Sequence, residues 1–105
     1  MALELDLDTF DKTISSGVAL VDFWAPWCGP CQKMTPVIED LSHENRVAAI
    51  AKVDVDKFGE LAARFGIMSI PAIIVFKDGK PFRSFVGVTS KDVLQRAISD
   101  ALGIA

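Results

Sequence analysis

Residues 18–31 read Val18-Ala19-Leu20-Val21-Asp22-Phe23-Trp24-Ala25-Pro26-Trp27-Cys28-Gly29-Pro30-Cys31. The first eight form a nearly continuous apolar run, which is typical of a central β-strand buried on both faces. After Pro30 the apolar residues recur at helical spacing, so the two cysteines lie where a strand ends and a helix begins. The unpaired N–H groups and positive dipole end of that helix favour a thiolate, which is the nucleophile of disulfide exchange. This stretch therefore predicts a redox-active dithiol.

The rest of the chain predicts an α/β fold around this strand. Alternating leucines at 3, 5 and 7 predict a short edge strand, and Asp8 is expected to cap a helix that ends near residues 16–17. Further helices are predicted over 30–43, with a kink at Pro36, and over 58–65. Further strands are predicted over 47–55, 72–77 and 82–86, the last two joined by a hairpin turn at Asp78-Gly79. A Thr89–Asp92 capping box is predicted to open a last helix, whose inner face is formed by residues 93, 94, 97, 98, 101 and 102. The order predicts a central mixed sheet of about five strands flanked by four helices on both faces.

Length and composition narrow the function classes. The chain has 105 residues, half of them hydrophobic, which predicts a single domain over 1–105 with its own core. A net charge of −3 with scattered basic residues disfavours nucleic-acid binding, and no apolar run approaches the ~20 residues of a membrane span. The N-terminal residues lack the pattern of an export signal, so we expect a cytoplasmic location, where a dithiol is more often catalytic than structural.

Other uses of a Cys-x-x-Cys pair have less support in the sequence. A structural disulfide closing so short a loop gains little chain entropy. A zinc site needs four ligands, and His43, expected as a solvated residue at a helix end, lies a full helix away. Covalent haem needs His after the second cysteine, where Gln32 stands. An iron–sulfur cluster shared between two subunits remains open, but we expect no bound metal.

Three stretches together resemble the thioredoxin family. They are the active-site string over 21–31, Ile70-Pro71-Ala72 at the place of the family's cis-proline, and Phe85-Val86-Gly87 at its late glycine loop. The resemblance covers about residues 3–103. It implies the thioredoxin fold and a protein-disulfide reductase that carries electrons and contributes to cell redox homeostasis. It also implies no bound cofactor, a monomer, electrons from NADPH through a flavin-dependent thioredoxin reductase, and disulfide-containing protein substrates.

We expect the dithiol and the buried strand to supply the groups that carry out the exchange reaction. We expect Cys28, on the exposed side of the loop, to attack a substrate disulfide, and the more buried Cys31 to resolve the mixed disulfide. Asp22 is the one ionisable residue of the buried strand, so desolvation should raise its pKa. The functional interpretation makes Asp22 a proton relay for Cys31, with Lys52 as its partner on the neighbouring strand. The alternative is a buried acid satisfied by local hydrogen bonds.

Further expectations concern the surroundings of the sulfurs. The resemblance implies that Gly29 and Pro30 tune the reduction potential and that a cis bond precedes Pro71, whose loop binds substrate backbone at Ile70. Trp24 is expected in the core. Gln32, where relatives often carry Lys or Arg, should weaken the local positive field slightly. A flat apolar patch, hereafter the dithiol patch, is expected to dock substrates; its members are Trp27, Pro30, Met68, Ile70, Gly87 and Val88.

Two other functions compete with the reductase. The same fold can serve as a disulfide oxidant or isomerase, although that use goes with His between the cysteines and an export signal. A scaffolding subunit would keep the fold without turning over its cysteines. A double serine substitution at Cys28 and Cys31 separates that role, since a scaffold would keep its activity.

Overall fold

The computed structural model describes residues 1–104 and confirms the predicted α/β fold. The elements are β1 (Leu3–Glu4), α1 (Leu7–Ile14), β2 (Val18–Trp24), α2 (Gly29–Glu44), β3 (Ala49–Asp54), α3 (Gly59–Arg64), β4 (Ala72–Lys77), β5 (Lys80–Val86) and α4 (Lys91–Leu102). The strands form one sheet in the order β1-β3-β2-β4-β5, in which β1, β3 and β2 run parallel and β4 and β5 pair antiparallel. The sheet is therefore mixed.

The central strand β2 is buried on both faces, as its apolar run predicts. Its residues alternate between two cores. The core under α2 and α4 is aliphatic and includes Leu20, whereas the core under α1 and α3 includes Val21 and Phe23. Because side chains alternate along a strand, Asp22 and Trp24 lie on the α2/α4 face with Leu20. The dithiol follows β2 directly, at the end of this face.

Helix α1 begins two residues earlier than predicted. Asp6, not Asp8, is the N-cap: its carboxylate accepts from the backbone N–H groups of Asp8 and Thr9, and the Thr9 hydroxyl accepts from the Asp6 N–H. Leu5 is buried and donates its N–H to the Lys52 carbonyl oxygen. That tertiary contact fixes where the chain turns into the helix, so Asp8 falls in the first turn.

The predicted Thr89–Asp92 capping box of α4 is also wrong. Ser90 is the N-cap and accepts from the Val93 N–H. The Thr89 hydroxyl instead donates to the Gly87 carbonyl oxygen, and the Thr89 N–H donates to the Met34 sulfur at 3.4 Å. Val93, predicted on the inner face, is 46% exposed. The buried face of α4 is formed by Leu94, Ala97, Ile98 and Ala101.

The β4–β5 hairpin confirms the Asp78-Gly79 turn signal. Both residues adopt left-handed backbone conformations, with φ of 49° and 87°, as a two-residue hairpin turn requires. The Asp78 carboxylate accepts from the Gly17 N–H at 2.8 Å, and the Gly17 carbonyl oxygen accepts from the Asp78 N–H at 2.9 Å. This pair ties the hairpin to the start of β2. Strand β5 begins two residues before the predicted start, and α2 continues through Pro36 as one helix.

Candidate active site

Cys28 is the N-cap of α2. Its backbone is extended (φ −86°, ψ 108°), and its Sγ accepts from the Cys31 N–H at 3.2 Å. The two cysteines form a disulfide with their Cα atoms 5.2 Å apart. The Cys28 sulfur therefore occupies the acceptor position at which helix N-termini stabilise negative charge. The same position favours a thiolate when the bond is reduced.

The expected exposure of Cys28 is corrected by the structure. Its residue exposure is 4%, against 3% for Cys31, so burial hardly distinguishes the two sulfurs of the disulfide. Trp24, Val55 and Ile70 pack around them together with buried Ala25. Trp24 is half-buried and is thus part of the wall around the disulfide, in a small cluster apart from the main core. Little of the Cys28 surface is therefore open to a partner in the disulfide form.

The Ile70–Pro71 loop lies against the disulfide. The peptide bond between these residues is cis, as expected, and the Ile70 carbonyl oxygen lies 3.8 Å from Cys28 Sγ. The Pro71 carbonyl oxygen accepts from the Gly87 N–H at 2.8 Å. This bond connects the cis-proline loop to the end of β5. The predicted segments 70–72 and 85–87 therefore meet on the side of the molecule where segment 21–31 places the Cys28 sulfur.

Members of the dithiol patch are strongly exposed for apolar residues. Trp27 is 70% exposed and Met68 is 94% exposed, and Val88 and Pro30 are also exposed. Ile70 and Gly87 are half-buried. Adjacent to Met68 lies a groove of about 290 Å³. It is lined by residues 65–69, by β4 and by the end of β5.

Asp56 belongs to this site, although the sequence did not single it out. Its carboxylate accepts from the Trp27 indole Nε1, with distances of 2.9 and 3.1 Å to the two oxygens. The bond holds an exposed indole in one orientation beside Cys28. The available signal was topological: β2 and β3 are parallel, so the residues after their carboxyl ends lie at one edge of the sheet.

Asp22 is buried at 3% exposure, and one of its oxygens, Oδ1, has no hydrogen-bond partner. Desolvation raises its pKa from 3.8 to about 7, and the positive charge of Lys52 opposes that rise. Lys52 lies on the neighbouring strand, as predicted, and the β2–β3 register places it directly opposite Asp22. Its Nζ lies over the Trp24 ring, 4.4 Å from the centroid, so an aromatic face shares the cation with the carboxyl group.

The remaining predicted residues have simpler settings. His43 is exposed in the last turn of α2, and Gln32 donates from its side chain to the Pro26 carbonyl oxygen at 3.3 Å. Gly29 and Pro30 form the exposed start of α2. Within residues 1–104 no three His, Cys, Asp or Glu side chains are grouped so that they could hold a metal ion. In the same range no helix is both long and apolar enough to span a membrane.

Comparisons with known proteins agree with this site. The family model named Thioredoxin matches residues 1–100. Thioredoxin of Staphylococcus haemolyticus is 49% identical over 94 residues, which cover 89% of this chain and 90% of the relative. Thioredoxin of Bacillus subtilis is 44% identical over 95 residues, covering 90% and 91%. A mutant thioredoxin from Halobacterium salinarum superposes with a TM-score of 0.91 at 36% identity, covering 99% of this chain and 93% of that one.

The sulfur at a helix N-terminus, the partner cysteine one turn later and the cis-proline loop make a site for thiol–disulfide exchange. Sequence relatives matching nine-tenths of the chain carry the same name, and the fold agrees over nearly all of it. This chain belongs to the thioredoxin family and is a thiol–disulfide oxidoreductase.

Proposed function

We propose that the chain is a single-domain, cytoplasmic protein-disulfide reductase that works as a monomer. The observation that carries the proposed exchange chemistry is the Cys28 sulfur at the N-cap of α2. A helix N-terminus stabilises thiolate over thiol and so supplies a nucleophile, although stabilising the reduced form in this way by itself raises the reduction potential. The reducing direction is supported by membership of the thioredoxin family. A reductant of other disulfides needs such a nucleophile ready at neutral pH.

In the proposed reaction Cys28 is the attacking nucleophile. Its thiolate attacks one sulfur of a substrate disulfide, forms a mixed disulfide and releases the other substrate sulfur as a thiolate. Cys31 then loses its proton and attacks the Cys28 sulfur. This step breaks the mixed disulfide and releases the second substrate thiolate. The substrate gains two electrons, and the protein keeps the Cys28–Cys31 disulfide.

Asp22 takes the Cys31 proton through water in this scheme. A carboxyl group with a pKa of about 7 can both accept and release a proton near neutral pH, which is what a relay requires. Lys52 opposes the rise in that pKa and so keeps the acid within the useful range. Gly29 and Pro30 at the first turn set the spacing of the sulfurs, and through it the reduction potential.

Substrates would dock on the dithiol patch and the cis-proline loop. Trp27, Met68 and Val88 offer exposed apolar surface, and the Ile70 backbone beside Pro71 would pair with an extended substrate segment. Such recognition depends on apolar contact and backbone hydrogen bonds rather than on a particular pattern of substrate side chains. Gly87 permits close approach at the far side of the loop. The proposed substrates are therefore disulfide-containing proteins of several kinds.

The protein would need no bound cofactor. We propose that its disulfide is reduced again by a flavin-dependent thioredoxin reductase that draws on NADPH. The pair would then form an electron-transport chain contributing to cell redox homeostasis. Coupled oxidation of NADPH in the presence of such a reductase and insulin tests this partner. No oxidation above the rate of the reductase alone would contradict it.

The first test of the proposed direction is the reduction potential of the Cys28–Cys31 couple. Trp24 packs against the disulfide, so tryptophan fluorescence should report its state in dithiothreitol buffers of graded ratio. We expect a potential well below the glutathione poise. A value well above it would make the chain an oxidant.

Trapping tests the division of labour between the sulfurs. The Cys31→Ser variant should accumulate a mixed disulfide through Cys28, because the resolving thiol is missing. The matched Cys28→Ser variant should accumulate none under the same conditions. Equal trapping by both variants would contradict the assigned roles.

A further inference from the structure

We propose that Met68 is an oxidation site whose conversion to the sulfoxide weakens docking of protein substrates. Peroxide would then regulate the dithiol patch without oxidising Cys28 or Cys31. This inference rests on the proposed reductase function. It concerns a thioether that the reductase chemistry does not itself use.

The three methionines have sharply different surroundings. Met34 is completely buried, and its sulfur accepts a hydrogen bond from the Thr89 N–H at 3.4 Å. Met68 and Met1 are 94% and 91% exposed. Oxidants reach sulfur through solvent, so Met34 is protected and the other two are accessible.

Only one accessible methionine lies beside the dithiol. Met68 is two residues before Ile70, whose carbonyl oxygen lies 3.8 Å from Cys28 Sγ. Two residues of extended chain span at most about 7 Å. Met68 and Val86 both line the groove of about 290 Å³. The groove thus adjoins the cis-proline loop, because Gly87 after Val86 bonds to the Pro71 carbonyl oxygen at 2.8 Å.

The chemistry is a simple oxygen transfer. A hydroperoxide transfers one oxygen atom to the thioether sulfur, which loses two electrons, while the peroxide is reduced to water or an alcohol. The product is a polar sulfoxide in place of a flexible apolar side chain. An apolar partner segment that covered Met68 would then have to desolvate an S=O group without a matching donor.

The test uses the disulfide form, which has no thiols for peroxide to attack. The protein is treated with hydrogen peroxide, mass spectrometry locates the added oxygen atoms, and the dithiol is then reduced with dithiothreitol. Rates are measured with insulin as a protein disulfide and with hydroxyethyl disulfide as a small one. We expect oxygen on Met68 and Met1 but not on Met34. Oxidation should lower the insulin rate about fourfold, the factor that corresponds to losing roughly one buried methylene.

The small-disulfide rate should stay the same, since that substrate does not need the patch. The Met68→Leu variant is the matched control because it keeps Met1 and Met34. Whatever its starting activity, its insulin rate should be the same before and after peroxide. The Met68→Gln variant should reproduce the loss without any oxidant. Treatment of the oxidised protein with a methionine sulfoxide reductase should restore the insulin rate.

Several results would overturn the proposal. They are a Met68 that resists oxidation, an insulin rate unchanged after complete oxidation, an equal loss in the Met68→Leu variant, or an equal loss for both substrates. Failure of the untreated protein to reduce either disulfide would instead reject the proposed reductase function. The two failures are therefore distinguishable.

Discussion

The two faces of the sheet are built differently. Under α1 and α3, four phenylalanine rings from Phe10, Phe23, Phe65 and Phe76 pack with centroids 5.2 to 6.4 Å apart. Under α2 and α4 the core is aliphatic, and that face carries Asp22. Within residues 1–104 the buried side-chain atoms without a partner are Asp22 Oδ1 and Trp24 Nε1, two positions apart on β2. Both faces have extensive buried cores, and the unfavourable polar burial is confined to the face that ends at the dithiol.

The largest expected effect is on chemistry at the end of the α2/α4 face. Cys28→Ser removes the nucleophile, so the rate of insulin reduction should fall by at least about 10⁴-fold. The reduced variant should unfold at nearly the same urea concentration as the reduced parent protein, because a hydroxyl can replace the sulfur as N-cap acceptor. A residual rate within tenfold of the parent would place the nucleophile elsewhere.

The next largest effect should appear on the aromatic face and spare the chemistry. Phe10 is completely buried and lies within 6.4 Å of three other phenylalanine rings. Phe10→Ala should lower the free energy of unfolding by about 4 kcal/mol in urea titrations. Activity per folded molecule should not change. Phe10→Leu, which keeps most of the volume, should lose less than half as much. A change in activity per folded molecule would show that the faces are not independent.

The third effect is a pH-dependent gain in the free energy of unfolding when Asp22, on the α2/α4 face, is replaced by Asn. The folded state keeps the Asp22 proton up to a pKa of about 7, whereas the unfolded chain loses it near 3.8. Between these values the folded state binds more protons, so stability falls as the pH rises, by at most about 4 kcal/mol. Asp22→Asn should therefore stabilise the protein at pH 8 by about 2 kcal/mol, since the amide itself stays incompletely paired. Below pH 3.8 the gain should vanish.

Urea titrations across this pH range provide the measurement. Lys52→Met is the matched control, because removing the cation should raise the Asp22 pKa and extend the fall in stability to higher pH. The Asp22→Asn variant should also slow release of the mixed disulfide more than its formation. A gain independent of pH would show that burial does not control the titration of this group, and equal slowing of both steps would remove the relay role.

The smallest effect should come from the patch. Asp56→Ala removes the acceptor of the Trp27 indole, a bond exposed to solvent and worth about 1 kcal/mol. We expect kcat/KM for insulin to fall about fivefold and the fluorescence anisotropy of Trp27 to fall. Asp56→Asn retains one acceptor oxygen and should keep most of the parent rate. Unchanged anisotropy in Asp56→Ala would show that packing alone holds the indole.

Strong local signals predicted most of the fold. The apolar run of β2, the helical period of α2 and the Asp78-Gly79 turn each dictate one local conformation. Helix starts were less predictable because neighbouring residues could serve as caps. The buried position of Leu5 makes Asp6 the N-cap of α1. The hydrogen bonds of Thr89 to Gly87 and Met34 leave Ser90 as the N-cap of α4. Those contacts are between distant segments, which no local pattern contains.

The parts of the candidate site that could be predicted are the residues whose type is unusual in its sequence surroundings. A Cys-x-x-Cys pair and a lone acid in an apolar strand stand out in any sequence. Asp56 does not, because it is one of fourteen acidic residues and only its bond to Trp27 distinguishes it. The burial of Cys28 was missed for a similar reason. Its cover comes from Val55 and Ile70, which lie far along the chain.

The free edge of the sheet at β5 has a consequence for behaviour at high concentration. Pro81 has no N–H to donate, Lys80 and Arg83 add charge, and the register with β4 shifts between Val75 and Phe76. Charge, proline and irregular register each make an edge strand a poor template for another chain. A molecule with exposed apolar surface at its active site would otherwise be prone to stack edge to edge. The β5 edge is thus a poor template for pairing with another chain, while the apolar surface beside the dithiol stays available to substrates.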